Sequence, residues 1–370
     1  FNGNYDGQGH SILGLHINRP NHWDCGLFGK TVGGAKIRNL SLLNGSVIGK
    51  GLVGGLIGIA VHTDVLNCSF EGNVTGSAKI VGGLIGQHNK CRTERSFSRG
   101  LVNGLKEDTG GLVGSNTGSE SEIIDSYSES SVVGNDKVGG LSGTNYNGAS
   151  IIRCYSTGFV SAQNNKGGLI GHGDAYYLSF WDINSSGVTT SAGTGAAGKT
   201  TDEMMDPSTF LNAGWDFNAS GGTWKMIAGQ TYPRLAWETL PNTTPSDLNV
   251  TAPLQVLENQ PVGTLVGQFT AADPDLPTTL TFTLVGGALD NHFFSVDANG
   301  TLRTASALDY EANATLTIQA KVRDQHNAWI EHNFTVQILN VVEDLDLDGI
   351  EDHYDTDDDG DGFTDEVEIA

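Results

Sequence analysis

Short apolar runs rich in β-branched residues alternate with Gly, Asn and Ser through the first 175 residues, a pattern of strands and turns rather than helices. Their spacing is regular. Tetrads of the form Gly-Leu-x-Gly begin at Gly26, Gly55, Gly83, Gly111, Gly140 and Gly168, at intervals of 28 or 29 residues. Other columns keep step. Val47, Val74, Val102, Val132 and Val160 precede the next tetrad by 8 or 9 positions, and Leu40, Cys68, Ser96, Ser126 and Cys154 by 14 or 15. Phe97, Tyr127 and Tyr155 form an aromatic column one place after the latter. A single unit of this length cannot bury its own apolar face. Stacked units can, each coil pairing its backbone with the coils above and below at about 4.8 Å. The expectation is an all-β chain opening with a β-solenoid (β-helix) of ~28-residue coils over residues 1–175. The tetrad glycines would serve either a positive φ or a close backbone approach at a corner.

These tetrads resemble the GLUG motif of bacterial surface and secreted proteins. The opening Phe1-Asn-Gly-Asn-Tyr-Asp-Gly-Gln-Gly-His10 is similar to the coil that starts such arrays. The stretches Phe180-Trp-Asp182, Thr200-Thr-Asp-Glu-Met204, Ala213-Gly-Trp-Asp-Phe217 and Tyr232-Pro-Arg-Leu235 resemble their usual ending. Residues 176–240 are therefore read as a cap over the last coil, where an open edge would invite aggregation. Cys68 and Cys154 share a column three coils apart, about 14 Å at 4.8 Å per coil, beyond the reach of a disulfide. Cys25 and Cys91 belong to other columns and their disulfide status stays open; all four cysteines are read as small apolar core or surface residues. Gly193-Thr-Gly-Ala-Ala-Gly198-Lys199-Thr200 matches a phosphate-loop pattern, but a polar, Gly-broken segment precedes it and Pro207 follows closely. It is read as a turn-rich portion of the cap. His10, His16, His22, His62, His88 and His172 lie near turns of the repeat and are read as solvated or capping.

Beyond a linker at 241–248 (Pro241-Asn-Thr-Thr-Pro-Ser246), the periodicity is lost. Val262–Thr270, Leu280–Leu284, Leu302–Thr304, Thr315–Val322 and Asn333–Leu339 read as strands of a β-sandwich over 249–343. Leu257-Glu-Asn259, Asp273-Pro-Asp275, Leu308-Asp-Tyr-Glu311 and Val322-Arg-Asp324, in that order, resemble the calcium motifs of cadherin repeats. Asn340-Val-Val-Glu343-Asp344 stands where the acidic inter-repeat linker would be. The resemblance implies that Glu258, Asp309, Glu311 and Asp324 ligate Ca²⁺ near the C-terminal end of the sandwich. By the same resemblance Asp273 and Asp275 serve a site shared with whatever precedes. Val342 departs from the pattern, replacing an oxygen-bearing residue, and no second cadherin repeat follows.

Charge sharpens the picture of the last segment. The net charge of -23 divides into -2 over residues 1–240, -7 over 241–340 and -14 over 341–370, where 14 acidic residues meet no Lys or Arg. Within 344–370, two twelve-residue loops fit calcium-loop spacing. Asp344, Asp346, Asp348, Ile350, Asp352 and Asp355 take positions 1, 3, 5, 7, 9 and 12 of the first. Asp357, Asp359, Asp361, Phe363, Asp365 and Glu368 take them in the second, and Gly349 and Gly362 fall at position 6, where a sharp turn is required. Carboxylates at alternate positions of a tight loop point inward, and position 7 offers a backbone carbonyl. Loop starts 13 residues apart leave no room for EF-hand helices. The tandem spacing resembles thrombospondin type 3 repeats, with dockerin-like loops a distant second.

The acidic balance argues against a nucleic-acid partner, and no run of 18 apolar residues could span a bilayer. The chain opens on Phe1 with no leader, so it reads as processed or excised from something longer. No HExxH, GxSxG or paired CxxC occurs, and Asp64, Asp108, Asp125, Asp136 and Asp174 sit at different phases of the repeat. The expectation is a non-catalytic, Ca²⁺-binding structural or adhesion protein at a bacterial surface or outside the cell. Its partners would be calcium and another protein, a glycan or itself. Two alternatives stay open: a self-assembling extracellular fibre subunit, and the non-catalytic arm of a secreted peptidase or carbohydrate-degrading enzyme.

Overall fold

Successive copies of the repeat pair as parallel strands in register, Val47 with Val74, Val74 with Val102, Val102 with Val132 and Val132 with Val160. The computed structural model describes residues 1–364 apart from Ala175, Ala219, Ser220, Pro241, Pro277, His326, Asp348, Asp355 and Asp361. The chain is nearly all β and forms two compact units, one ending at Leu240 and the other beginning at 241. The first is the β-solenoid. One of its faces is a six-stranded parallel sheet running from Phe28–Thr31 through Ile57–Val61, Ile85–Asn89, Val113–Thr117 and Ser142–Tyr146 to Ile170–Gly173. From the second tetrad on, each leucine donates its N–H to the carbonyl of the next: Leu56 to Leu84, Leu84 to Leu112, Leu112 to Leu141 and Leu141 to Leu169, at 2.8–2.9 Å. Their side chains fill one core with the valine column.

Of the two roles open to the tetrad glycines, the structure selects close approach. A Cβ on Gly83 would lie 2.1 Å from the carbonyl oxygen of Gly111. Positive φ angles fall elsewhere, on corner columns of ordinary residues, one running through Asn39, Asn67, Arg95, Asp125 and Arg153 and another through Asp24, Leu52, Ile80, Asp108 and Lys137. The column of Leu40 and Cys68 also gains a reason. Ser96 Oγ accepts the N–H of Cys68, Ser126 Oγ that of Ser96, and Ser179 Oγ that of Cys154, all at 3.1 Å. A small side chain with a polar tip is needed there because the strand breaks and an inward N–H would otherwise be buried unpaired. Cys91 does the same in the neighbouring column, its Sγ accepting the N–H of Thr63 at 3.3 Å. All four thiols are free and buried. Desolvation pushes Cys68 up to about 12 and Cys91 up to about 11, so both stay protonated and inert at neutral pH.

His88 departs from the solvated role expected of it, whereas His10, His16, His22, His62 and His172 are exposed. It is fully buried, with Nδ1 2.6 Å from Asn116 Oδ1 and Nε2 3.0 Å from Thr93 Oγ1. Asn116 passes the chain on, donating to Asn145 Oδ1 at 2.8 Å. Desolvation pushes the imidazole down to about 4, against a smaller opposing effect of Asn116. The unfolded chain takes up a proton below pH ~6.5, and the folded one only near pH 4. Stability from this group is therefore level above pH ~6.5 and falls between ~6.5 and ~4, by up to about 3 kcal/mol. His88→Asn should remove that slope from the pH dependence of the urea midpoint. Parallel curves for the two proteins would refute a buried neutral imidazole.

The end of the solenoid is closed in two ways rather than one. Trp181, Ile183, Val188, Ala192 and Ala196 pack onto the core, and strand Ala196–Lys199 pairs in parallel with Ser179–Asp182. This strand holds the last glycine and the lysine of the phosphate-loop match, while Thr200 caps a four-residue helix through a capping box with Glu203. The remaining aromatic residues of the cap cover a flank instead. Because strand side chains alternate, Phe97, Tyr127 and Tyr155 point outward from the column of Ser96. Their rings stack, Phe97 on Tyr127 at 4.9 Å and Tyr127 on Tyr155 at 4.8 Å. Trp237 stacks on Phe97, Trp224 lies 6.0 Å from Tyr155, and Tyr155 donates its hydroxyl to the Pro233 carbonyl at 2.5 Å.

The second unit is a β-sandwich. One sheet orders Ser246–Val250, Leu265–Ala272, Thr301–Thr304 and Phe294–Val296, all antiparallel. The other orders Gln255–Leu257, Trp329–Leu339, Thr315–Arg323 and Thr281–Leu284, with the first pair parallel. Phe269, Leu302, Ile318, Val322 and Val336 lie in the core between them. Three strands of these two sheets are not evident from the sequence pattern: Ser246–Val250, Gln255–Leu257 and Phe294–Val296. The first overlaps the segment read as a linker. Pro, Asn and Asp around these short runs read as turns, and only pairing with a long neighbour makes them strands.

Candidate calcium centre

Strand Gln255–Leu257 lies beside Gln337–Leu339, so Glu258 emerges next to the start of the acidic segment. Its carboxylate is 1% exposed, accepting the N–H of Tyr310 at 2.6 Å on one oxygen and that of Val341 at 2.7 Å on the other. Asn259 donates its backbone N–H to the Leu308 carbonyl at 2.9 Å and brings in the Asp309-Tyr-Glu311 turn. Ligand oxygens of Glu258, Asp309 and Glu311 come within 4.8 Å of one another. The acidic segment folds onto this cluster. Asn340 Nδ2 donates to Glu311 Oε1 and to Glu351 Oε1, both at 3.0 Å, and Asn259 Nδ2 donates to Glu343. Partial desolvation, and then the charges of Glu258 and Glu351, push Glu311 above the ordinary glutamate range. A cation among these carboxylates would relieve the repulsion between them.

Asp324 is not among this cluster. It follows Arg323, at the far end of a nine-residue strand from the Asp309 turn, about 30 Å away at the rise of a β-strand. It accepts from Asn242 Nδ2 at 2.8 Å, and Thr243 holds Asp275 through its N–H at 2.9 Å and its hydroxyl at 2.7 Å. Asp273 accepts the N–H of Asp275 at 2.8 Å. The sandwich thus carries acidic groups at both ends, Glu258, Asp309 and Glu311 at one and Asp273, Asp275 and Asp324 at the other. Asn242 and Thr243, read as linker, are the polar residues that meet the second group.

The two acidic loops share a backbone design. Asp344 Oδ2 accepts the N–H of Gly349 at 3.1 Å, and Asp357 Oδ2 that of Gly362 at 2.9 Å, the same position 1 to position 6 bond in each. Gly349 and Gly362 have φ of 94° and 91°, and the position 4 residues Leu347 and Gly360 have φ of 64° and 69°. A Cβ at position 6 would be strained, which is why both are Gly. Asp352 Oδ1 accepts the N–H of Leu345 at 2.7 Å, and Asp346 lies against Gly360, bringing the loops together. Ile350 and Phe363 expose their side chains, and Asp359 is among the described residues. Asp348, Asp355, Asp361, Asp365 and Glu368 lie outside them. The residues present suit a hard cation: Asp344 Oδ1 is shielded from solvent with no hydrogen-bond partner, an oxygen an ion would satisfy.

The cadherin domain family is matched by residues 252–341, and the GLUG motif by residues 49–75. Cadherin-18 of Bos taurus and of Homo sapiens are each 34% identical to this chain over 87 residues, 23% of it. The chain spans 11% of the length of these curated relatives. Among solved structures, protocadherin gamma B7 extracellular cadherin domains 1–4 are similar at 24% identity, covering 26% of this chain and 24% of that one, with a TM-score of 0.23. Human protocadherin-24 EC1-2 is similar at 28% identity over 27% and 44%, with a TM-score of 0.22. The chain therefore contains a GLUG motif within its solenoid and a cadherin domain in its second unit.

Proposed function

We propose that this chain is a non-catalytic, calcium-dependent structural or adhesion segment of an extracellular or surface protein of a bacterium. The convergence of Glu258, Asp309 and Glu311 with Asn340 and Glu351 carries this reading. In a cadherin-like site the next repeat would complete the shell, and here Glu351 of the acidic segment stands in that place. Three carboxylates and a fourth from Glu351, which can bind through one oxygen or two, approach the six to eight oxygens Ca²⁺ prefers, with water supplying the rest, while the Asn340 Nδ2 group holds Glu311 and Glu351 in place. The tandem loops are read as thrombospondin type 3-like repeats that take further ions through Asp344, Asp346, Asp357, Asp359 and the carbonyls of Ile350 and Phe363. Asp273, Asp275 and Asp324 form a second, half-built site at the other end of the sandwich. Metal would neutralise a segment that otherwise repels itself, turning it into a stiff spacer.

Head-to-tail stacking of solenoids into a fibre is not favoured, because strand Ala196–Lys199 and the packed Trp181 cover the last coil. No helix among the described residues is long and apolar enough to cross a membrane. Calorimetric titration of Ca²⁺ into the chelator-treated chain should give saturable binding with Kd of about 10⁻⁴–10⁻³ M. Residues beyond Asn340 should resist protease in millimolar Ca²⁺ and be cut in EDTA. Absence of binding heat together with identical digests would end the proposal.

A further inference from the structure

One corner of the solenoid carries a recess of about 410 Å³ that shares no residue with the acidic clusters. The corner column in register with Trp23 continues through Gly51, Lys79, Glu107, Asp136 and Asn164. Gly51 withholds a side chain because the indole lies over it, a Cβ there meeting Trp23 Cζ3 at 2.5 Å. The ring is thereby laid along the stack rather than into the core, 41% exposed, with Lys50 Nζ 5.6 Å from its centre. Ala78, in the neighbouring column, keeps the floor beyond it low. Lys79, Lys106, Asn135 and Asn164 rim the rest.

The polar groups at this rim are not equivalent. Both carboxylates are engaged within the protein: Glu107 Oε2 accepts from Lys137 Nζ at 3.2 Å, and Asp136 Oδ1 from the N–H of Asn165 at 3.1 Å and its Nδ2 at 2.9 Å. The Lys79 and Lys106 ammonium groups make no ion pair or hydrogen bond among the described residues. What the recess offers a ligand is therefore an exposed aromatic plate, two side-chain amides and two exposed ammonium groups on consecutive coils, of which Lys79 also feels the charge of Asp108. We infer that this furrow binds an acidic polysaccharide strand. A pyranose ring lays its C–H face on the indole, hydroxyls bond to Asn135 and Asn164, and uronate carboxylates meet Lys79 and Lys106. The coil rise of about 4.8 Å is close to the length of one sugar residue in an extended chain, so successive lysines meet successive residues of the strand.

The inference names a ligand class for the adhesion reading and rests on that reading only for its biological sense. The furrow shares no residue with the acidic cluster, so failure here leaves the calcium response standing. The test titrates the full chain in EDTA at 0.15 M salt (a roughly 8 Å screening length) with hexagalacturonate and, separately, with neutral cellohexaose. Hexagalacturonate should bind saturably and roughly tenfold more tightly than cellohexaose. Trp23→Ala should weaken it roughly tenfold, and Lys79→Gln with Lys106→Gln should erase the preference for the acidic sugar. The double lysine variant, altered only at exposed side chains, keeps the test decisive should Trp23→Ala fold poorly. No binding of hexagalacturonate, equal binding of the neutral hexamer, or unchanged affinity in either variant would overturn the inference.

Discussion

Glu258→Ala should destabilise the sandwich by about 3–5 kcal/mol and abolish its stabilisation by calcium. The two effects have separate causes. The buried carboxylate accepts both the Tyr310 and the Val341 N–H, and its removal leaves two donors without a partner, each costing about 1–3 kcal/mol. That loss should appear in EDTA, as a lower urea midpoint for the second unit. The calcium effect is additional: a ligand at ten times its Kd stabilises by about 1.4 kcal/mol, and the variant should show none of it. Glu258→Gln distinguishes them, because its amide oxygen keeps one of the backbone bonds while the negative charge is lost. A Glu258→Gln protein still stabilised by millimolar Ca²⁺ as the parent is would remove Glu258 from the site.

Trp224→Ala should cost the first unit about 3–5 kcal/mol, as expected for a fully buried tryptophan. Its ring touches Tyr127, Tyr155 and Trp215, the last at 4.6 Å, and its Nε1 reaches Asp125 Oδ1 at 3.4 Å. The loss should be local first. Without this ring the flank covering would release, so protease should cut between Phe210 and Trp237 while the coils stay folded. Glu238→Ala should act at the same place. Glu238 accepts from Tyr127, from Arg99 at 2.6 Å and from the N–H of Leu235 at 2.8 Å, and Arg234 pairs with Glu129 beside it. Removing one member of such a partly buried network strands the others. Coils and flank melting in one transition, in both variants, would show that the covering is not a separable layer.

Several placements lay beyond reach of the sequence for one reason: a residue's neighbours come from other coils or strands. His88 looks like any turn histidine in its own repeat. Its burial follows from Asn116 one coil on and Thr93 in the next strand. Asp324 sits in a motif shared with the calcium cluster, but the length of strand Thr315–Arg323 carries it to the opposite end of the sandwich. Glu351 gave no signal beyond its place in an acidic run. Only the fold of the segment onto Asn340 brings it to the cluster. The aromatic column at Phe97, Tyr127 and Tyr155 was legible as a period, but not that it faces outward under a layer of tryptophans.

Features that are periodic or local were already written into the order of residues. A 28-residue repeat stacks in only one register that buries its leucines and valines together, and a glycine at position 6 of an acidic loop allows the one sharp turn there. Which carboxylates meet, which cysteines and serines close inward N–H groups, and which side of the coils is covered emerge only in the folded chain. Those outcomes depend on distances between segments far apart along the chain, set by strand length and pairing rather than by any residue's own preference.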